Sequence, residues 1–533
     1  MARETIDFGV DLGTTNSSIA VMTDTGPEVF RNNEGFEYTP SAAWIDKKNN
    51  LFVGRRAKER LEDDYENAAG EFKLQMGTQQ ERVFARSGRR MKPEELSAEV
   101  LKSLKADVRQ NSGEEIQAAV ITVPAAFELP QCEATNRAAQ LAGFSQSPLV
   151  MEPVAAALAY GFNSEQDNVF WLVYDFGGGT FDAAVIQVRD GAIQVVNHEG
   201  DNHLGGKLID WAIVDELLIP AAIQERRLTD FRRGGNNKWI GAIAKLKQHA
   251  EEAKIRVSRD NSAEIIIEFL CQDDRGDAVR FEYELKRADL ERLAEPFVRR
   301  SINICKKVLV DKRLSPANME KLILVGGPTL TPYFRERLED KGEGLGIPLE
   351  FRVDPLTVVS RGAAIFSRTQ RVTGIEPETV RPGQFALQLE YKPVGPDTEP
   401  LLGGRVMSQE TKDFSGFHIE FIRPAGHPPY RSGRIGLGRD GSFMINLLAE
   451  KGPANTFMIE LYDAKGNKCE TVPDRIRYTV GQVITDPPLI HSVGVAMANN
   501  EMDILLEKGI ALPARRRSIH RTVVDVRKGR RAA

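Results

Sequence analysis

Apolar and polar positions follow two rhythms along residues 1–370. Short β-branched runs predict strands, and longer stretches with apolar residues at helical spacing predict helices. The expected strands are Val120–Val123, Phe170–Tyr174, Ala183–Val188, Glu264–Leu270 and Lys321–Val325. The expected helices are Glu94–Arg109, Gln131–Ala142, Pro153–Phe162, Trp239–Val257, Arg287–Val308 and Leu356–Arg368. This alternation predicts an α/β fold.

The pattern changes after residue 373. Between residues 380 and 482 the apolar runs are short and alternating, and Gly and Pro interrupt them often. This pattern predicts an all-β sandwich domain of ordinary size at 380–482. Its expected strands are Phe385–Tyr391, Phe417–Ile422, Ser442–Leu447, Thr456–Tyr462 and Arg475–Val480. A short β segment at 483–533, with runs at Ser492–Met497 and Asp503–Leu506, offers few strands to close a core.

Length and composition restrict the number of domains, the kinds of binding partner and the cellular location. The 533 residues exceed the roughly 250–300 at which a single core stops growing, so at least two domains are expected. The net charge is -5, and the basic run at 515–531 is interpreted as a solvated tail because no aromatic residues interleave with its charges. No nucleic-acid or membrane partner is therefore expected. The 4 dispersed cysteines and the absence of an apolar signal core predict a cytoplasmic location.

Two glycine-rich segments carry the candidate chemistry. Phe8–Asn16 and Tyr174–Asp182 each have an apolar strand ending on Asp, a Gly-rich turn with a Thr, and a second strand. Glycine lets the backbone approach a phosphate closely, and successive N–H groups in such a turn bind anions. An Asp at a strand end is an oxygen ligand for magnesium, usually through its waters. Two such hairpins facing each other would hold a triphosphate from both sides.

These turns differ from a Walker A loop and from a Rossmann fingerprint, because strands rather than helices follow the glycines. One such hairpin could be a plain β-turn, but matched Asp and Thr in both favour a phosphate site. Two further Gly-rich turns, His203–Gly206 and Leu322–Thr329, would place bare backbone beside a ligand. Each carries little weight alone.

Seven segments together resemble the 70-kDa heat-shock protein family, the DnaK-type chaperones. They cover the first 370 residues in order: Asp11–Asn16, Val120–Ala125, Glu152–Gly161, Asp175–Asp182, Gly200–Gly206, Glu251–Ser258 and Val325–Gly327. The resemblance implies an actin-like, two-lobed nucleotide-binding (ATPase) domain at 1–373. The broader actin-like superfamily, including sugar kinases, shares only the hairpins.

The resemblance also implies a role for each matched position. Phosphoryl transfer to water depends on positioning and charge stabilisation, here by a metal, a lysine and oriented N–H groups. The implied metal ligands, through water, are Asp11 and Asp175. The implied catalytic residues are Lys73, Glu152, Asp175, Thr180 and Asp182. The implied nucleotide-binding residues are Gly13, Thr14, Thr15, Asn16, Gly177, Gly178, Gly179, Gly205, Gly206, Glu251, Lys254, Ser258, Gly326, Gly327 and Asp354.

The chain departs from the family at five positions, the first of which is Pro328, where the family has a Ser. Leu330 stands where the family has an Arg that covers one face of the adenine, so we expect weaker or less base-selective nucleotide binding. Leu129 and Cys132 stand where the family has an Asp and an Arg that relay the ATP state. Pro148 replaces an Arg associated with J-domain coupling. These changes argue against the family's normal interdomain signalling and J-protein stimulation.

The back half departs further. Gln482–Val495 resembles the family's interdomain linker and first substrate-domain strand, and Glu507–Ala514 resembles the next turn. We therefore expect the sandwich at 380–482 to be an insertion, and 483–533 to be the linker and the start of a truncated substrate-binding β domain. The chain would then be a fragment or a degenerate family member.

Two functions from different classes follow. The first is a DnaK-type chaperone that uses ATP turnover to control polypeptide binding. The alternative is an actin-fold, ATP-dependent scaffold or regulatory protein whose sandwich binds a dedicated partner. A sugar kinase is disfavoured because no sugar-site motif is found. The expected cofactors are ATP or ADP and Mg²⁺; the expected partner is a polypeptide client or a dedicated protein, and the altered positions argue against a J-domain co-chaperone or nucleotide exchange factor.

Overall fold

The two predicted glycine-rich hairpins lie at the centres of two separate β-sheets. The computed structural model describes residues 5–23, 25–161, 169–189, 192–370, 372, 383–391, 394–395, 397–408, 410–424, 429–450, 455–480, 483–484, 493–497 and 502–506. Each central sheet is the core of one lobe, and the two lobes together contain residues 5–372.

The first lobe is built on a mixed sheet of six strands. Phe8–Asp11 pairs in parallel with Val120–Val123 and antiparallel with Asn16–Met22, so the hairpin strand is covered on both edges. The sheet order is Leu149–Met151, Val120–Val123, Phe8–Asp11, Asn16–Met22 and Pro27–Val29, with Thr39–Pro40 also paired to Asn16–Met22. Smaller sheets contain Leu51–Val53, Ala42–Ile45 and Ala68–Gly70, and Arg82–Val83 with Arg90–Met91.

Helices cover this sheet with apolar faces. Pro93–Ser112 shows local control of its ends: Pro93 begins it, Glu95 accepts from the Lys92 N–H at 2.7 Å, and Gly113 ends it at φ 73°. Buried sheet residues such as Phe8 and Ile121 pack with Leu101 of that helix in one core. The helices of the lobe are Arg55–Lys58, Pro93–Ser112, Leu129–Leu141 and Glu152–Gly161, with 3₁₀ turns at Tyr65–Asn67 and Phe72–Gln75.

The second lobe repeats the arrangement around the second hairpin. Its sheet order is Leu349–Glu350, Met319–Val325, Val169–Phe176, Phe181–Arg189, Ala192–Asp201 and Val483–Ile484. A long hairpin, Ser262–Gln272 with Ala278–Lys286, extends from the lobe. Its helices are Gly206–Ile213, Ile219–Glu225, Ile240–Val257, Arg287–Val310 and Pro332–Glu339, with a π-helical turn at Val214–Leu218 and 3₁₀ turns at Asn237–Trp239, Pro316–Asn318 and Gly327–Leu330. The helix Val358–Ser367 follows and packs on the first-lobe sheet, where a Cβ on Gly9 would lie 2.1 Å from the Ala364 nitrogen.

A crossing pair of helices joins the lobes. Glu152–Gly161 packs against Val358–Ser367, and a Cβ on Gly362 would lie 1.7 Å from the Ala155 carbonyl oxygen. The close backbone approach therefore requires glycine at 362. Their buried residues form one core that also includes residues of both central sheets. The base of the interlobe cleft is a packed hinge, with the cleft opening on the side of the hairpin turns.

The sandwich domain has two sheets with its own core. One sheet has the order Ser442–Asn446, Leu401–Met407, Phe385–Glu390 and Thr471–Val472. The other contains Val394–Gly395, Arg475–Val480, Asn455–Tyr462, His418–Arg423 and Tyr430–Arg431, with Ile435–Gly436 and Lys468–Cys469 at its edges. Leu402 and Phe443 of the first sheet pack with Phe457 of the second.

The sequence predicted the central strands and helices of both lobes to within three residues at each end, and the α/β-plus-sandwich fold class is confirmed. The strand Leu401–Met407 was missed because two glycines interrupt its apolar pattern. Gly404 is needed for packing, because a Cβ there would lie 2.6 Å from the Phe443 ring.

The last described elements bear on the predicted linker. Val483 and Ile484 pair in parallel with Ala192 and Ile193 at the edge of the second-lobe sheet. Val493–Ala496 and Met502–Leu506 form a two-stranded hairpin. The rest of the predicted linker, including Gln482, and the segments 507–514 and 515–531 lie outside the described residues. Among the helices described, none is long and apolar enough to cross a membrane.

Candidate functional site

The two glycine-rich turns face each other across the interlobe cleft. A cavity of about 1140 Å³, including the part open to solvent, lies between them. Its lining combines both turns with residues from the hinge helices and the third Gly-rich turn: Asp11, Gly13, Thr14, Thr15, Asn16, Lys73, Glu152, Asp175, Gly177, Gly178, Thr180, Asp182, Gly326 and Gly327. The fold thus brings fourteen residues predicted from distant parts of the sequence into one cavity.

At the glycines of these turns, neighbouring atoms lie so close to the backbone that a residue with a side chain would not fit. A Cβ on Gly178 would lie 2.6 Å from Thr15 Oγ1, so the two hairpins touch at this point. The turn containing Gly205 and Gly206 packs beneath the second hairpin, where the Gly206 N–H donates to Gly177 O at 3.0 Å. A Cβ on Gly205 would lie 2.6 Å from the Gly179 nitrogen. The outcome is a turn of bare backbone whose N–H groups can approach an anion.

The first hairpin contributes two unsatisfied polar side chains. Thr15 Oγ1 and Asn16 Oδ1 are buried and have no hydrogen-bond partner among the described residues. A buried polar atom without a partner is costly, and ligands are one way to satisfy it. Because Thr15 also lines the cavity, its hydroxyl is suited to donate to a phosphate oxygen.

A lysine and four carboxylates occupy the centre of the cavity. Lys73 Nζ donates to Glu152 Oε1 at 2.5 Å, and the Lys73 side chain is only 5% exposed. Burial, and then the charge of Glu152, raise the pKa of Asp11 to about 7, against the attraction of Lys73. Burial likewise raises the pKa of Asp182 to about 7 and that of Asp175 well above its ordinary range. The single positive charge of Lys73 does not balance the negative charge that four ionised carboxylates would carry.

The excess of carboxylates fits a divalent cation bound nearby. Asp11 and Asp175 end corresponding strands of the two sheets, and both line the cavity. Among the described residues, no group of three or more His, Cys, Asp or Glu side chains is arranged to coordinate a metal directly. Holding magnesium through its waters, as the sequence predicts for Asp11 and Asp175, does not need such a group.

The helix Ile240–Val257, which the family resemblance implies binds adenosine and which we call the adenosine helix, presents charged side chains at helical spacing along one face. Glu251 accepts from Lys58 Nζ of the first lobe at 2.7 Å, which joins the lobes at the nucleoside end. Burial alone would raise the pKa of Glu251, but Lys58 and Lys254 lower it to about 2. Lys254 Nζ contacts Asp210 at 2.5 Å and donates to Gly206 O at 3.1 Å. Ser258 instead donates to Ile255 O of its own helix at 2.6 Å.

The third Gly-rich turn forms the opposite wall. Gly326 has φ 90°, and a Cβ there would lie 2.2 Å from Phe176 O. Its N–H donates to Pro355 O at 2.9 Å, while Asp354 accepts from the Leu356 N–H at 2.9 Å. The turn therefore packs on the end of the strand that carries Asp175. Leu330, the last residue of the 3₁₀ turn Gly327–Leu330, is 37% exposed.

Comparison with known proteins identifies the family. The sequence model of the Hsp70 protein family matches residues 7–380. The chaperone protein DnaK of Mycoplasma mobile is 37% identical over 365 residues, which cover 68% of this chain and 58% of that protein. The chaperone protein DnaK from two strains of Halobacterium salinarum is 36% identical over 508 residues, covering 89% of this chain and 77% of those proteins. The chain belongs to the Hsp70 family.

Membership in the Hsp70 family confirms several predictions. The chain has the family's actin-like ATPase fold; hydrolysis of ATP by this chain itself is treated below as a proposal. Between the two predicted functions, the comparisons favour the DnaK-type, ATP-dependent chaperone over the dedicated scaffold. Hsp70 proteins generally bind ATP or ADP with Mg²⁺, and DnaK-type chaperones bind polypeptide clients. The chain spans 58% of the length of the Mycoplasma relative, so its own clients and partners are treated below as proposals.

The structure adds Hsp70-site residues that the sequence did not indicate. Glu71 lies two residues before Lys73, has φ 55°, and contacts Lys207 Nζ across the cleft at 2.7 Å. Thr122 donates to Asp11 at 3.1 Å, and Asp210 pairs with Lys254. Only Glu71 carried a local signal, its position beside a predicted catalytic lysine. The others depend on contacts between distant parts of the chain.

The positions that depart from the Hsp70 pattern lie around the cleft. Leu129 begins a helix and is 71% exposed, while Cys132 is half-buried one turn later. The Pro148 carbonyl accepts from the Ile121 N–H at 3.0 Å, beside the strand that leads to Glu152. The predicted loss of interdomain signalling concerns these positions. Residues of both predicted phosphate turns, by contrast, line the cavity.

Proposed function

We propose that this Hsp70 protein binds ATP with Mg²⁺ between its two lobes, hydrolyses it, and uses the turnover to control binding of a polypeptide. The observation that carries the proposal is the convergence of both glycine turns, at Thr15 and Gly178, on the buried Lys73–Glu152 pair. Such an arrangement suits phosphoryl transfer to water, where the protein supplies orientation and charge.

Individual residues would have distinct parts in this reaction. N–H groups of Gly178 and Gly179 and the Thr15 hydroxyl would hold phosphate oxygens, while the Gly177 N–H closes the turn by donating to Thr180 O at 2.9 Å. Lys73, fixed by Glu152, would offset negative charge on the terminal phosphate. Thr180 and Asp182 stand at the start of the strand following the second turn, where they would orient the attacking water.

The metal site would consist of Asp11 and Asp175, with Glu152 nearby. Magnesium, when bound, supplies positive charge to the phosphates and to the surrounding carboxylates. The buried carboxylates are already assembled without it, and their mutual repulsion favours a cation.

The nucleoside would occupy the end of the cleft between Glu251 and Lys254 on one side and Gly326, Gly327 and Asp354 on the other. Leu330 provides apolar surface at its rim but no cation to stack on a base. We therefore propose weaker or less adenine-selective binding than the Hsp70 pattern would give.

Steady-state ATP hydrolysis with and without an unfolded polypeptide tests the proposal. We expect slow turnover that an unfolded, reduced polypeptide increases, since client binding and turnover are coupled in a chaperone cycle. Turnover that no polypeptide changes would favour the scaffold alternative. Absence of any magnesium-dependent hydrolysis would contradict the proposed reaction itself.

We also propose that a J-domain co-chaperone stimulates this turnover weakly at most, because Leu129, Cys132 and Pro148 replace the charged residues of the Hsp70 pattern. A J-domain titration into the same assay measures this directly. Strong stimulation would show that coupling does not need those charges.

A further inference from the structure

A first-lobe segment, residues 36–41, runs along the nucleoside end of the cleft. At its end, the Ser41 N–H donates to Thr15 O at 2.8 Å, and Pro40 pairs with Asn16. At its start, the Arg55 guanidinium lies 4.8 Å from the centre of the Phe36 ring. The segment is therefore fixed to the phosphate turn at one end and to the Arg55–Lys58 helix at the other.

Contacts around this segment lead to the helix Ile240–Val257 of the second lobe and to the loop that carries Asp354. Lys58, on the same short helix as Arg55, contacts Glu251 of the adenosine helix at 2.7 Å. Glu37 lies 3.9 Å from Arg361, whose Nε donates to Thr357 Oγ1 at 3.1 Å. The Thr357 N–H in turn donates to Asp354 O at 3.0 Å. These contacts connect the chain around the residue between Glu37 and Thr39 to Glu251 on one side and to the loop of Asp354 on the other.

That residue is Tyr38, whose ring is half-buried. Its backbone is held because Asn32 Nδ2 donates to Tyr38 O at 2.9 Å, and its ring centre lies 6.0 Å from that of Phe36. Burial raises the pKa of Tyr38; Arg55 opposes this, and Glu251 and Asp354 add to it. The hydroxyl therefore lies within electrostatic reach of the carboxylates on both walls of the proposed nucleoside pocket.

We infer that Tyr38 is a nucleoside-contact residue that covers the nucleotide from the first lobe and determines much of its affinity. The inference rests on the proposed ATP site and deepens it. Tyrosine suits this role because it presents a rigid, flat apolar surface and a polar tip. Leu330, on the second lobe, supplies no stacking cation, so the aromatic surface at Tyr38 is the compensating contact.

Loss of the Tyr38 contact should affect binding of the nucleoside and not binding of the phosphates. Stacking of an aromatic side chain on a base changes affinity by about tenfold or more, whereas the phosphate turns are made of other residues. Removing the Tyr38 ring should therefore weaken nucleotide binding and leave binding of a bare polyphosphate unchanged.

Titration calorimetry with two ligands, ADP and inorganic tripolyphosphate, each with Mg²⁺, tests this on the full chain. For Tyr38→Ala we expect the Kd for ADP to rise about tenfold and that for tripolyphosphate to change less than about twofold. Tyr38→Phe keeps the ring and should bind ADP within about threefold of wild type. Tyr65→Ala, which removes a tyrosine 51% exposed elsewhere on the first lobe, is the matched control.

Hydrolysis gives a second readout. For Tyr38→Ala the KM for ATP should rise about tenfold while kcat stays within about twofold, because Lys73 and the phosphate turns are intact. If Tyr38→Ala does not fold, as judged by its thermal unfolding, Tyr38→Leu takes its place in both assays.

The outcomes separate this inference from the proposed function. If wild type binds neither ligand, the proposed ATP site is wrong. If wild type binds both and Tyr38→Ala binds ADP equally well, Tyr38 does not contact the nucleoside and the inference is overturned. Equal loss of ADP and tripolyphosphate would also overturn it, since that pattern indicates a structural role.

Discussion

At the proposed phosphate end of the cleft the two lobes meet through backbone, whereas at the proposed nucleoside end they meet through long side chains. At the phosphate end, Gly178 and Thr15 bring the lobes into contact, and Gly205 packs directly on Gly179. At the nucleoside end, the lobes meet through the Lys58–Glu251 ion pair. Bare backbone in close contact leaves no room for change, whereas side chains can be exchanged for others that cover similar surface.

This difference accounts for the departure from the Hsp70 pattern at Leu330. Both hairpin turns, Asp11–Asn16 and Asp175–Asp182, resemble the family motif, while Leu330 stands on the adenine side where the family has an Arg. A tyrosine on the facing lobe can supply surface in its place, but no side chain can replace an N–H group that approaches a phosphate. We therefore expect substitutions at the phosphate end to abolish function and those at the nucleoside end to adjust it.

The largest effect is expected for Lys73→Ala. Removing the one cation among buried carboxylates should lower kcat by about 100- to 1000-fold, as is typical for a transition-state charge contact. Single-turnover hydrolysis measures this, with ADP affinity determined in parallel. Lys102→Ala, which breaks an exposed ion pair with Glu99 at 2.8 Å, is the control. A kcat within a few-fold of wild type would remove Lys73 from the mechanism.

Gly205→Ala should rank next. Its φ of -176° is open to any residue, so the cost comes from collision of the new Cβ with Gly179 N at 2.6 Å and Gly178 C at 2.7 Å. Displacing the turn should weaken ADP binding by about 100-fold, because the phosphate N–H groups lose alignment. Gly241→Ala, a helical glycine with nothing within 4 Å, should bind ADP normally. Equal affinity in both variants would show that the turn tolerates displacement.

Leu330→Arg sharpens the comparison by restoring a cation at the adenine side. Stacking of the guanidinium on the base should tighten ADP binding about fivefold, with little change for tripolyphosphate. Val310→Arg adds the same charge at a site that is 67% exposed on the second lobe and serves as the control. If ADP binds no tighter to Leu330→Arg, position 330 does not face the base.

The smallest effect is expected for Lys58→Met at the cross-lobe ion pair. Partly exposed pairs contribute roughly 0.2–1 kcal/mol, so nucleotide release should accelerate about threefold, and less at high salt. Stopped-flow release of a fluorescent ADP analogue measures the rate, with Lys102→Met as the control.

The pH dependence of that effect follows from Glu251. Its pKa falls from an ordinary 4.5 to about 2 through Lys58 and Lys254. A lowered carboxyl pKa means that the pair is present above about pH 4.5 and is lost as the pH falls toward 2. The difference between wild type and Lys58→Met should thus be constant from pH 5 to 8; a difference that changed in this window would contradict the assignment.

How far the sequence predicted this site depends on the end considered. The phosphate turns were predictable because their signal is local: an apolar strand, an Asp, glycines and a Thr within nine residues. Lys73 and Glu152 followed only from the family resemblance, since a lone lysine is usually a solvated side chain and an acid at a helix start is ordinary.

The nucleoside end was less predictable because its contacts join distant segments. Tyr38 comes within electrostatic reach of Asp354, and Lys58 forms its ion pair with Glu251, only after the two lobes have folded and docked. Neither residue stands in a motif. In the sandwich domain, the strand Leu401–Met407 could not be predicted from apolar periodicity for a related reason. Glycine is required at 404 by the neighbouring Phe443 ring, which belongs to a distant part of the sequence. The boundaries 1–373, 380–482 and 483–533, and the truncation of a substrate domain, remain predictions.

The most direct test of the central claim is calorimetric titration of the full chain with ADP, with Mg²⁺ and with EDTA. We expect one nucleotide per chain, tighter with Mg²⁺, and about 100-fold weaker binding for Gly205→Ala. Such a result would assign the nucleotide to the turns that meet at Thr15 and Gly178. No binding by wild type, or binding that neither EDTA nor Gly205→Ala alters, would contradict an ATP site between the two lobes.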